Sequence, residues 1–352
     1  MIAVFTGGTG GSKLVQGLQQ VLAPPDTRTP GRFVSGHHFS RADQALIPSL
    51  PERASAREGP TDTGLTVIVN TGDDLDWWGL HVSPDIDSVL YGLAGLLSKD
   101  RGWGVDGDSF RCLERMKQLH QPSWFSLGDL DLATHLTRTA MLRAGKTLTE
   151  ATADLAAKFG VAARVLPMSD NRVSTLLDTA NATLTFQEYF VRERHQVDVH
   201  AVRFEGAEQA RPAPGVIESI QRAEAIIFAP SNPVTSIGPI LAVPGIRDAL
   251  RQSAAPVVAV SPIVGGAAVS GPAGKLMEMM GWPSSISGVA KAYEDFLDVL
   301  IADNTDEEGA AQLRDRGMRV LCTDTIMKSD EDKRALAEFV INVCSRSSAA
   351  VR

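Results

Sequence analysis

Several features that mark other protein classes are missing from this sequence or scarce in it. Its three cysteines, Cys112, Cys322 and Cys344, lie far apart and form no C-x-x-C pair, so neither a disulfide framework nor a zinc site is predicted. No uninterrupted apolar stretch reaches the roughly 18 residues of a membrane span, and the apolar run at the N-terminus is too short for a signal peptide. We therefore expect a cytoplasmic protein without a membrane partner.

Basic charge is not in excess either. The formal net charge of the 352 residues is −8, which argues against binding to nucleic acid or to an anionic membrane surface. A polyanionic small substrate must then be bound by local groups. With 43% hydrophobic residues, the chain can bury a large core, either as one α/β domain or as two.

What the chain does contain begins with a glycine-rich turn. The apolar run Ile2–Phe5 predicts a buried strand, and the apolar positions between Leu14 and Leu22 predict one face of a helix. Backbone N–H groups in such a turn favour a phosphate. Ser12 and Lys13 break both the Walker and the dinucleotide patterns, so the phosphate compound is not specified, and a plain tight turn is the alternative. The candidate phosphate-binding residues are Gly7, Gly8, Thr9, Gly10, Gly11, Ser12 and Lys13.

The next segment, Pro24–Gly64, is rich in Pro, Arg, Ser, Asp and Gly and shows little periodicity. It is much longer than an ordinary α/β connection, so we expect an inserted, mobile surface loop. His37 and His38 raise the possibility of metal binding there, but an adjacent pair in such a loop is more typically solvated.

Polar residues follow the second predicted strand, Leu65–Val69. In an open parallel sheet, ligands bind beyond the carboxyl ends of the strands, and clustered carboxylates repel one another unless a positive group lies among them. The turn is therefore a candidate site for hydroxyl groups or a hard divalent cation, with a solvated acidic turn as the alternative. Its candidate residues are Asn70, Thr71, Asp73 and Asp74.

A helix is predicted directly after this turn. Its apolar face comprises Ile86, Val89, Leu90, Leu93 and Leu97. Ser83 suits the N-cap, Pro84 the first helical position and Asp85 the first turn. Capping does not require Asp87. Because Mg²⁺ is commonly held by one or two carboxylates together with a substrate phosphate, Asp87 is the sharper metal candidate.

The middle of the chain is less regular. We predict helices near Asp129 and over Leu148–Phe159, and strands over Val161–Leu166 and Ala182–Phe186. Residues 99–219 are interpreted as an α/β subdomain inserted into a nucleotide-binding core of residues 1–98 and 220–352. His135 is a candidate general base or phosphate donor, and a capping or satisfied histidine is the alternative.

Buried strands ending in polar turns return in the last third. Ala225–Ala229, Pro256–Val260, Asp298–Asp303 and Arg319–Cys322 predict strands, and the fold class expected is a Rossmann-like, doubly wound, mainly parallel sheet. Several small, hydroxyl-rich turns at one sheet edge indicate a nucleotide-diphosphate site. Lys13 and Lys275 are the candidate phosphate partners.

In combination, these motifs closely resemble the 2-phospho-L-lactate transferases of the CofD/FbiA type, which act in the biosynthesis of the deazaflavin coenzyme F-420. The resemblance covers nearly the whole chain outside Pro24–Gly64. The matching segments are Thr6–Leu14, Asn70–Asp74, Ser83–Asp87, Leu127–Asp129, Ala133–His135, Leu166–Asp170, Pro230–Pro233, Ser236–Pro239 and Ser270–Lys275.

The resemblance implies a reaction. The ribityl hydroxyl of 7,8-didemethyl-8-hydroxy-5-deazariboflavin attacks the phosphorus that bears a small acid in a guanosine diphosphate ester, and GMP leaves. The acid is lactate, enolpyruvate or glycerate. Such a transfer depends on positioning and charge neutralisation, with Mg²⁺ as cofactor and a homodimer as the expected assembly.

The resemblance also implies site residues. The diphosphate and guanosine are expected on the glycine turn and on Ser231, Asn232, Ser261, Pro262, Gly265, Gly271, Gly274 and Lys275. The catalytic candidates are Asp74, Asp85 and Asp87, with Asp74 and Asp87 as metal ligands, and the acceptor is expected near Asp73, Asp74, Asp85 and Asp87. Trp77 and Trp78 are candidates to stack on the deazaflavin, with packing as the alternative. Some relatives carry a basic residue at the positions of Ser126 and Leu132, so these two bear on how the acceptor or the acid is held.

Two other functions stay open at this point. Proteins of the gluconeogenesis-factor type share a similar glycine-rich start and bind UDP-sugars as regulators, but they differ where this chain has Asp73–Trp78. An NAD-dependent oxidoreductase is the third hypothesis, and Lys13 argues against it because the dinucleotide pattern requires glycine there.

Overall fold

A computed structural model describes residues 1–22 and 63–350 of the chain. The strands are β1 (Ile2–Thr6), β2 (Leu65–Val69), β3 (Leu75–Trp77), β4 (Leu80–Val82), β5 (Arg164–Pro167), β6 (Ser174–Thr179), β7 (Thr183–Thr185), β8 (Val199–Glu205), β9 (Ala225–Phe228), β10 (Val257–Val260), β11 (Ile263–Val264), β12 (Ala267–Ala268), β13 (Val299–Asp303) and β14 (Arg319–Thr323).

Helices separate most of these strands. The α-helices are α1 (Thr9–Leu22), α2 (Pro84–Ala94), α3 (Arg111–Gln118), α4 (Asp129–Arg143), α5 (Leu148–Phe159), α6 (Val216–Gln221), α7 (Gly238–Ala242), α8 (Ile246–Arg251), α9 (Ala273–Met279), α10 (Ile286–Ala292), α11 (Glu307–Asp315) and α12 (Asp330–Ala350). Two short π-helical segments cover Glu188–Arg192 and Pro233–Ile237. None of the helices described is long and apolar enough to cross a membrane.

A seven-stranded sheet forms the centre of the molecule, in the order β14-β13-β10-β9-β1-β2-β5. Every neighbouring pair in it is parallel. Parallel sheets need cover on both faces, and β1 shows how the sequence provides it. Ala3 and Phe5 pack into the apolar cluster on one face, and Val4 packs into the cluster on the other. The predicted Rossmann-like α/β fold is confirmed.

The position of β1 within the sheet determines where a ligand can bind. From β1 the chain continues to β2 on one side, and it later places β9 on the other side. At such a switch point a crevice opens beyond the carboxyl ends of the strands. The glycine turn, Asn70, Pro230 and Ser261 follow β1, β2, β9 and β10, so they come together along this edge.

Residues 99–219 contribute to more than one part of the fold. β5 from this range is the edge strand of the central sheet, whereas β7, β6 and β8 form a separate antiparallel sheet. The division into a core and an inserted subdomain stays a prediction. The predicted loop Pro24–Gly64 lies, except for its last two residues, outside the described residues, and so do His37 and His38.

The element predictions hold for most strands, with two corrections around α2. This helix ends at Ala94, before the predicted Leu97, because Gly95 adopts a left-handed conformation with φ of 71°. Ser83 does not cap the helix with its side chain. Its hydroxyl instead donates to Asp74 Oδ2 at 2.8 Å, so Ser83 binds the acidic turn and does not cap the helix.

Candidate active site

The glycine turn brings backbone and polar side chains into close contact. The Gly7 N–H donates to Ser231 Oγ at 3.1 Å, which joins the ends of β1 and β9. A Cβ on Gly10 would lie 2.8 Å from the Pro230 carbonyl oxygen, and one on Gly11 would overlap Thr6 Oγ1. Glycine is therefore required here for close packing, and the 14-residue helix α1 begins directly afterwards.

A cavity of about 550 Å³ lies above this turn. Its volume is in the range of small-molecule and cofactor sites, and its walls come from the ends of β1, β9, β10 and β14. The predicted residues that line it are Gly8, Thr9, Gly10, Lys13, Asp73, Asp85, Ser231, Asn232, Ser261, Pro262 and Gly271. The other predicted residues of the turn, Gly7, Gly11 and Ser12, are buried and do not line this cavity.

Three of the nucleotide-binding residues predicted in the last third of the chain do not line this cavity either. The Lys275 ammonium pairs with Asp198 at 2.8 Å and donates to the Val197 carbonyl. The Gly265 N–H donates to the Asp306 carboxylate at 3.1 Å, and Gly274 packs against Ser284. These three residues therefore contact other residues of the chain and do not face the cavity.

Two basic residues are among those that line the larger cavity. Lys13 Nζ donates to the Met327 carbonyl at 3.3 Å. The other, Lys328, is exposed and was not predicted. It belongs to a turn whose Thr325 N–H and hydroxyl both donate to Asp303 Oδ2 at 2.9 Å. Sequence spacing gives no signal for this turn because β13 and β14 carry it to the site.

Asp73 and Asp85 form an acidic corner of the larger cavity. Asn70 Nδ2 donates to Asp85 Oδ2 at 2.9 Å, whereas Asp73 Oδ1 is buried without a hydrogen-bond partner among the described residues. Burial raises the pKa of Asp85 to about 7. Burial and then the charge of Asp85 raise the pKa of Asp73 well above its usual value.

Asp74 belongs to a different network from its neighbour Asp73. Its Oδ2 atom lies 3.0 Å from His81 Nε2 and accepts from Ser83 Oγ at 2.8 Å. Burial raises the pKa of Asp74. Asp74 and Thr71 line a separate cavity of about 220 Å³, so Asp74 is not brought to the acidic corner.

Another cavity, of about 280 Å³, adjoins the one of about 550 Å³. These two are called the smaller and the larger cavity below. Four residues line both of them: Thr9, Asp85, Phe186 and Phe190. Aromatic side chains form much of the wall of the smaller cavity, namely Tyr91, Trp103, Phe125, Phe186 and Phe190. Ser126, Asp87 and His135 also line it, so these predicted residues lie together here.

The floor of the smaller cavity is a buried charged network. Asp87 accepts two hydrogen bonds from the guanidinium of Arg138, whose Nη1 lies 3.0 Å from Asp87 Oδ2, and Arg138 is fully buried. His135 Nδ1 lies 3.6 Å from Asp87 Oδ2, and His135 Nε2 lies 3.2 Å from Asp131 Oδ1. The structure therefore pairs Asp87 with a cation of the chain, and Asp87 and Asp74 line different cavities.

Asp131 and Arg138 are site residues that the sequence analysis missed. Tyr91 donates to Asp131 Oδ1 at 2.8 Å. Burial acts to raise the pKa of Asp131, but the hydrogen bond and charge of His135 outweigh it and the pKa is lowered. Both residues are on α4. Asp131 lies four positions before His135 and Arg138 three positions after it, so all three side chains are on one helix face. Asp87, Asp131 and His135 each offer a ligand atom within 4.8 Å of the others.

The predicted stacking tryptophans have other contacts. Trp77 is buried against Trp124, with ring centroids 4.7 Å apart, and Trp78 donates to the Pro122 carbonyl at 2.8 Å. Neither lines either of the two adjoining cavities. Leu132 packs in the same apolar cluster. The two tryptophans therefore make packing contacts, which was the alternative to stacking on the deazaflavin.

Comparisons with known proteins agree with this geometry. The family model described as 2-phospho-L-lactate transferase CofD matches residues 2–342. A 2-phospho-L-lactate transferase of Methanosarcina mazei is 39% identical over 338 residues, which are 96% of this chain and 98% of that protein. A phosphoenolpyruvate transferase of Streptomyces griseus subsp. griseus is 41% identical over 293 residues, 82% of this chain and 92% of that protein.

A solved structure shares the fold at much lower identity. The crystal structure of a member of the UPF0052 family from Bacillus halodurans has a TM-score of 0.56 and 16% identity, and the match covers 97% of this chain and 98% of that one. At this identity the likeness concerns the fold alone. The resemblance predicted from the motifs is confirmed by the family match: this chain is a transferase that belongs to the CofD 2-phospho-L-lactate transferase family.

Proposed function

We propose that this protein transfers a phospho-carboxylic acid group from its guanosine diphosphate ester to the ribityl hydroxyl of 7,8-didemethyl-8-hydroxy-5-deazariboflavin, releasing GMP, in coenzyme F-420 biosynthesis. The observation that carries the proposal is the pair of adjoining cavities that share Asp85. One is built on the glycine turn and offers hydroxyl, amide and ammonium groups, and the other has aromatic walls. A bisubstrate transferase needs such a pair.

The donor occupies the larger cavity. Backbone N–H groups at the start of α1 favour its diphosphate, and Lys13 adds a positive charge beside them. Ser231, Asn232 and Ser261 supply hydroxyl and amide groups for the remaining polar atoms. The donor acid is lactate, enolpyruvate or glycerate.

The acceptor occupies the smaller cavity. Planar ring systems are held by aromatic and apolar walls with a few polar groups that fix their orientation. Tyr91, Trp103 and Phe125 provide such walls, and the charged floor at Asp131 and His135 provides polar atoms. A deazaflavin placed here directs its ribityl chain toward Asp85, where the cavities meet.

We further propose Mg²⁺ as cofactor, held by Asp73 and Asp85. Among the described residues, Asp73 Oδ1 is buried without a hydrogen-bond partner. Burial and then the charge of Asp85 raise the pKa of Asp73, so the donor set of the acidic corner suits a hard cation. Asp87 fits less well, because Arg138 already neutralises it. When bound, Mg²⁺ would neutralise charge on the transferring phosphate.

The chemistry left to the chain is positioning and proton transfer. The ribityl oxygen forms a bond to the phosphorus that bears the acid, and the bond from that phosphorus to the bridging oxygen of GMP breaks. Asp85 is the carboxylate shared by both cavities, so among the predicted catalytic residues it is the one positioned to accept the hydroxyl proton.

Product analysis tests this proposal. Purified protein is incubated with the deazaflavin, Mg²⁺ and the guanosine diphosphate esters of lactate, enolpyruvate and glycerate in competition, and the products are weighed by mass spectrometry. A deazaflavin phosphodiester with equimolar GMP is expected, and its mass identifies the acid. No product from any donor, together with stabilisation by UDP-sugars and not by GDP in a thermal-shift assay, would favour the regulatory alternative.

A homodimer in the cytoplasm completes the proposal. The support is the family resemblance, since homodimeric assembly was implied there. Sedimentation velocity at micromolar protein concentration is expected to give a single species of twice the 37.6 kDa chain mass. A single species of the chain mass would contradict the dimer.

A further inference from the structure

Two phenylalanines form one side of the place where the cavities meet. Phe186 and Phe190 line both cavities, and so does Asp85. In the proposed function, the phosphorus passes from the donor cavity to the acceptor cavity at this place. The junction therefore has a carboxylate and two aromatic rings in its lining.

The rings are part of a stack. The centroids of Phe186 and Phe190 are 5.5 Å apart with an interplanar angle of 8°. His195 continues the stack, 5.8 Å from Phe190 with an angle of 18°. Phe190 keeps 38% of its surface exposed although it is a large apolar side chain, so burial does not account for its position.

The backbone that carries the stack adopts unusual conformations. Glu188–Arg192 is π-helical, and π-helical turns are frequent at functional sites. Arg194 and His195 have φ of 51° and 47°, a region that side-chain-bearing residues rarely adopt. Since the unfavourable conformations persist, the surrounding contacts must hold them.

Those contacts are present in the same segment. The His195 N–H donates to the Tyr189 carbonyl at 2.8 Å, and the Arg192 guanidinium lies over the Trp124 ring at 5.8 Å. Gln187 Nε2 donates to the Asp73 carbonyl at 3.3 Å, which joins the stack to the acidic corner. The rings are thus held in a defined position relative to Asp73.

We infer that Phe186 and Phe190 are specificity-determining residues that decide whether the activated phosphorus reacts with the deazaflavin hydroxyl or with water. This inference rests on the proposed function. The apolar rings at the junction offer no hydrogen bond to a water molecule on that side of the phosphorus. Active sites suppress hydrolysis of a reactive group by excluding water.

The competing reaction can be written in full. A water oxygen forms a bond to the phosphorus that bears the acid, the bond from that phosphorus to the bridging oxygen of GMP breaks, and the water proton passes to the carboxylate or to solvent. The products are the free phospho-acid and GMP. GMP without deazaflavin phosphodiester is therefore the measure of leakage to water.

The test compares Phe190→Ala and Phe186→Ala with the wild type. Total GMP is measured by chromatography and deazaflavin phosphodiester by mass spectrometry, with and without acceptor. We expect the ratio of hydrolysis to transfer to rise by on the order of tenfold to a hundredfold, since small losses of placement change such rates by this much. Phe190→Leu should restore most of the wild-type ratio.

A matched control is Phe339→Ala, which removes a half-buried phenylalanine on α12 that lines neither cavity. Thermal unfolding and GDP binding are measured for every variant, so that misfolded protein is recognised. An unchanged ratio in both folded cavity variants, with a wild type that makes product, would overturn the inference alone. A wild type that makes no product would overturn the proposed function.

Discussion

The two groups of carboxylates beside the junction differ in how their charge is compensated. In the acidic corner, Asp73 and Asp85 accept no hydrogen bond from a basic side chain within the part of the chain that the structure describes, and burial raises the pKa of both. On the floor of the smaller cavity, Asp87 and Asp131 are paired with Arg138 and His135. We propose that a cation from solution compensates the first group, whereas basic residues of the chain compensate the second.

Acidic residues in one cluster can therefore have different roles. A buried carboxylate without a basic partner is costly unless something compensates its charge, so the acidic corner is where we propose a ligand. A buried carboxylate paired with arginine is already satisfied, so the floor indicates a preformed binding surface. Proximity in sequence does not separate the groups, since Asp85 and Asp87 are two residues apart.

The largest effect is expected in the acidic corner. Asp85→Asn keeps the shape of the side chain but removes its charge, so transfer should fall about 10³-fold with the donor still bound, as for loss of a group that acts on the transition state. Activity is measured over a Mg²⁺ titration. Asp76→Asn, at an exposed residue paired with Arg172, should retain wild-type turnover. Wild-type turnover in Asp85→Asn would assign the corner no part in the reaction.

Asp87→Ala should act first on stability. Removing the partner of fully buried Arg138 leaves an unpaired cation inside, which costs about 3–5 kcal/mol. The free energy of unfolding is measured with urea. The double variant Asp87→Ala with Arg138→Leu should recover much of the loss, because it removes the orphaned charge. If Asp87→Ala unfolds like the wild type yet lacks activity, Asp87 belongs with the reactive carboxylates and the comparison fails.

A third prediction concerns the donor end. Lys13 and Lys328 are the basic side chains among the described lining of the larger cavity, and a guanosine diphosphate ester with a carboxylate carries three negative charges. Lys328→Ala should weaken GDP binding about tenfold, the range for a lost hydrogen bond to a charged group. Isothermal titration calorimetry measures it. Lys117→Ala, at an exposed lysine of α3 paired with Glu114, is the control, and equal affinities in both variants would exclude Lys328.

Much of this site was predictable from the sequence, for a physical reason. Strand ends and glycine turns are local features, so β1, β2, β9 and β10 and their polar turns were read directly. Arg138, Asp131, Lys328 and Phe190 were missed because the tertiary fold brings them together. Arg138 is typical: an arginine on a helix reads as a surface residue until the fold buries it against Asp87.

The smallest effect is expected in an acid titration, which distinguishes the acidic corner from the charged floor of the smaller cavity. The pKa of Asp131 is lowered in the folded protein, so its contribution to stability is present above the unfolded pKa of about 3.9 and is lost as pH falls through the folded pKa. Asp131→Asn should therefore make the decline of unfolding free energy below pH about 4 shallower, by about 1.4 kcal/mol for each unit of pKa shift. Urea unfolding between pH 2 and 6 measures this.

Asp85→Asn should not flatten the same limb, because a raised pKa contributes stability that is present at low pH and lost as pH rises toward 7. Identical acid limbs for the wild type and Asp131→Asn would mean that His135 and Tyr91 do not stabilise the charged floor, and the distinction between a satisfied floor and an open acidic corner would be lost.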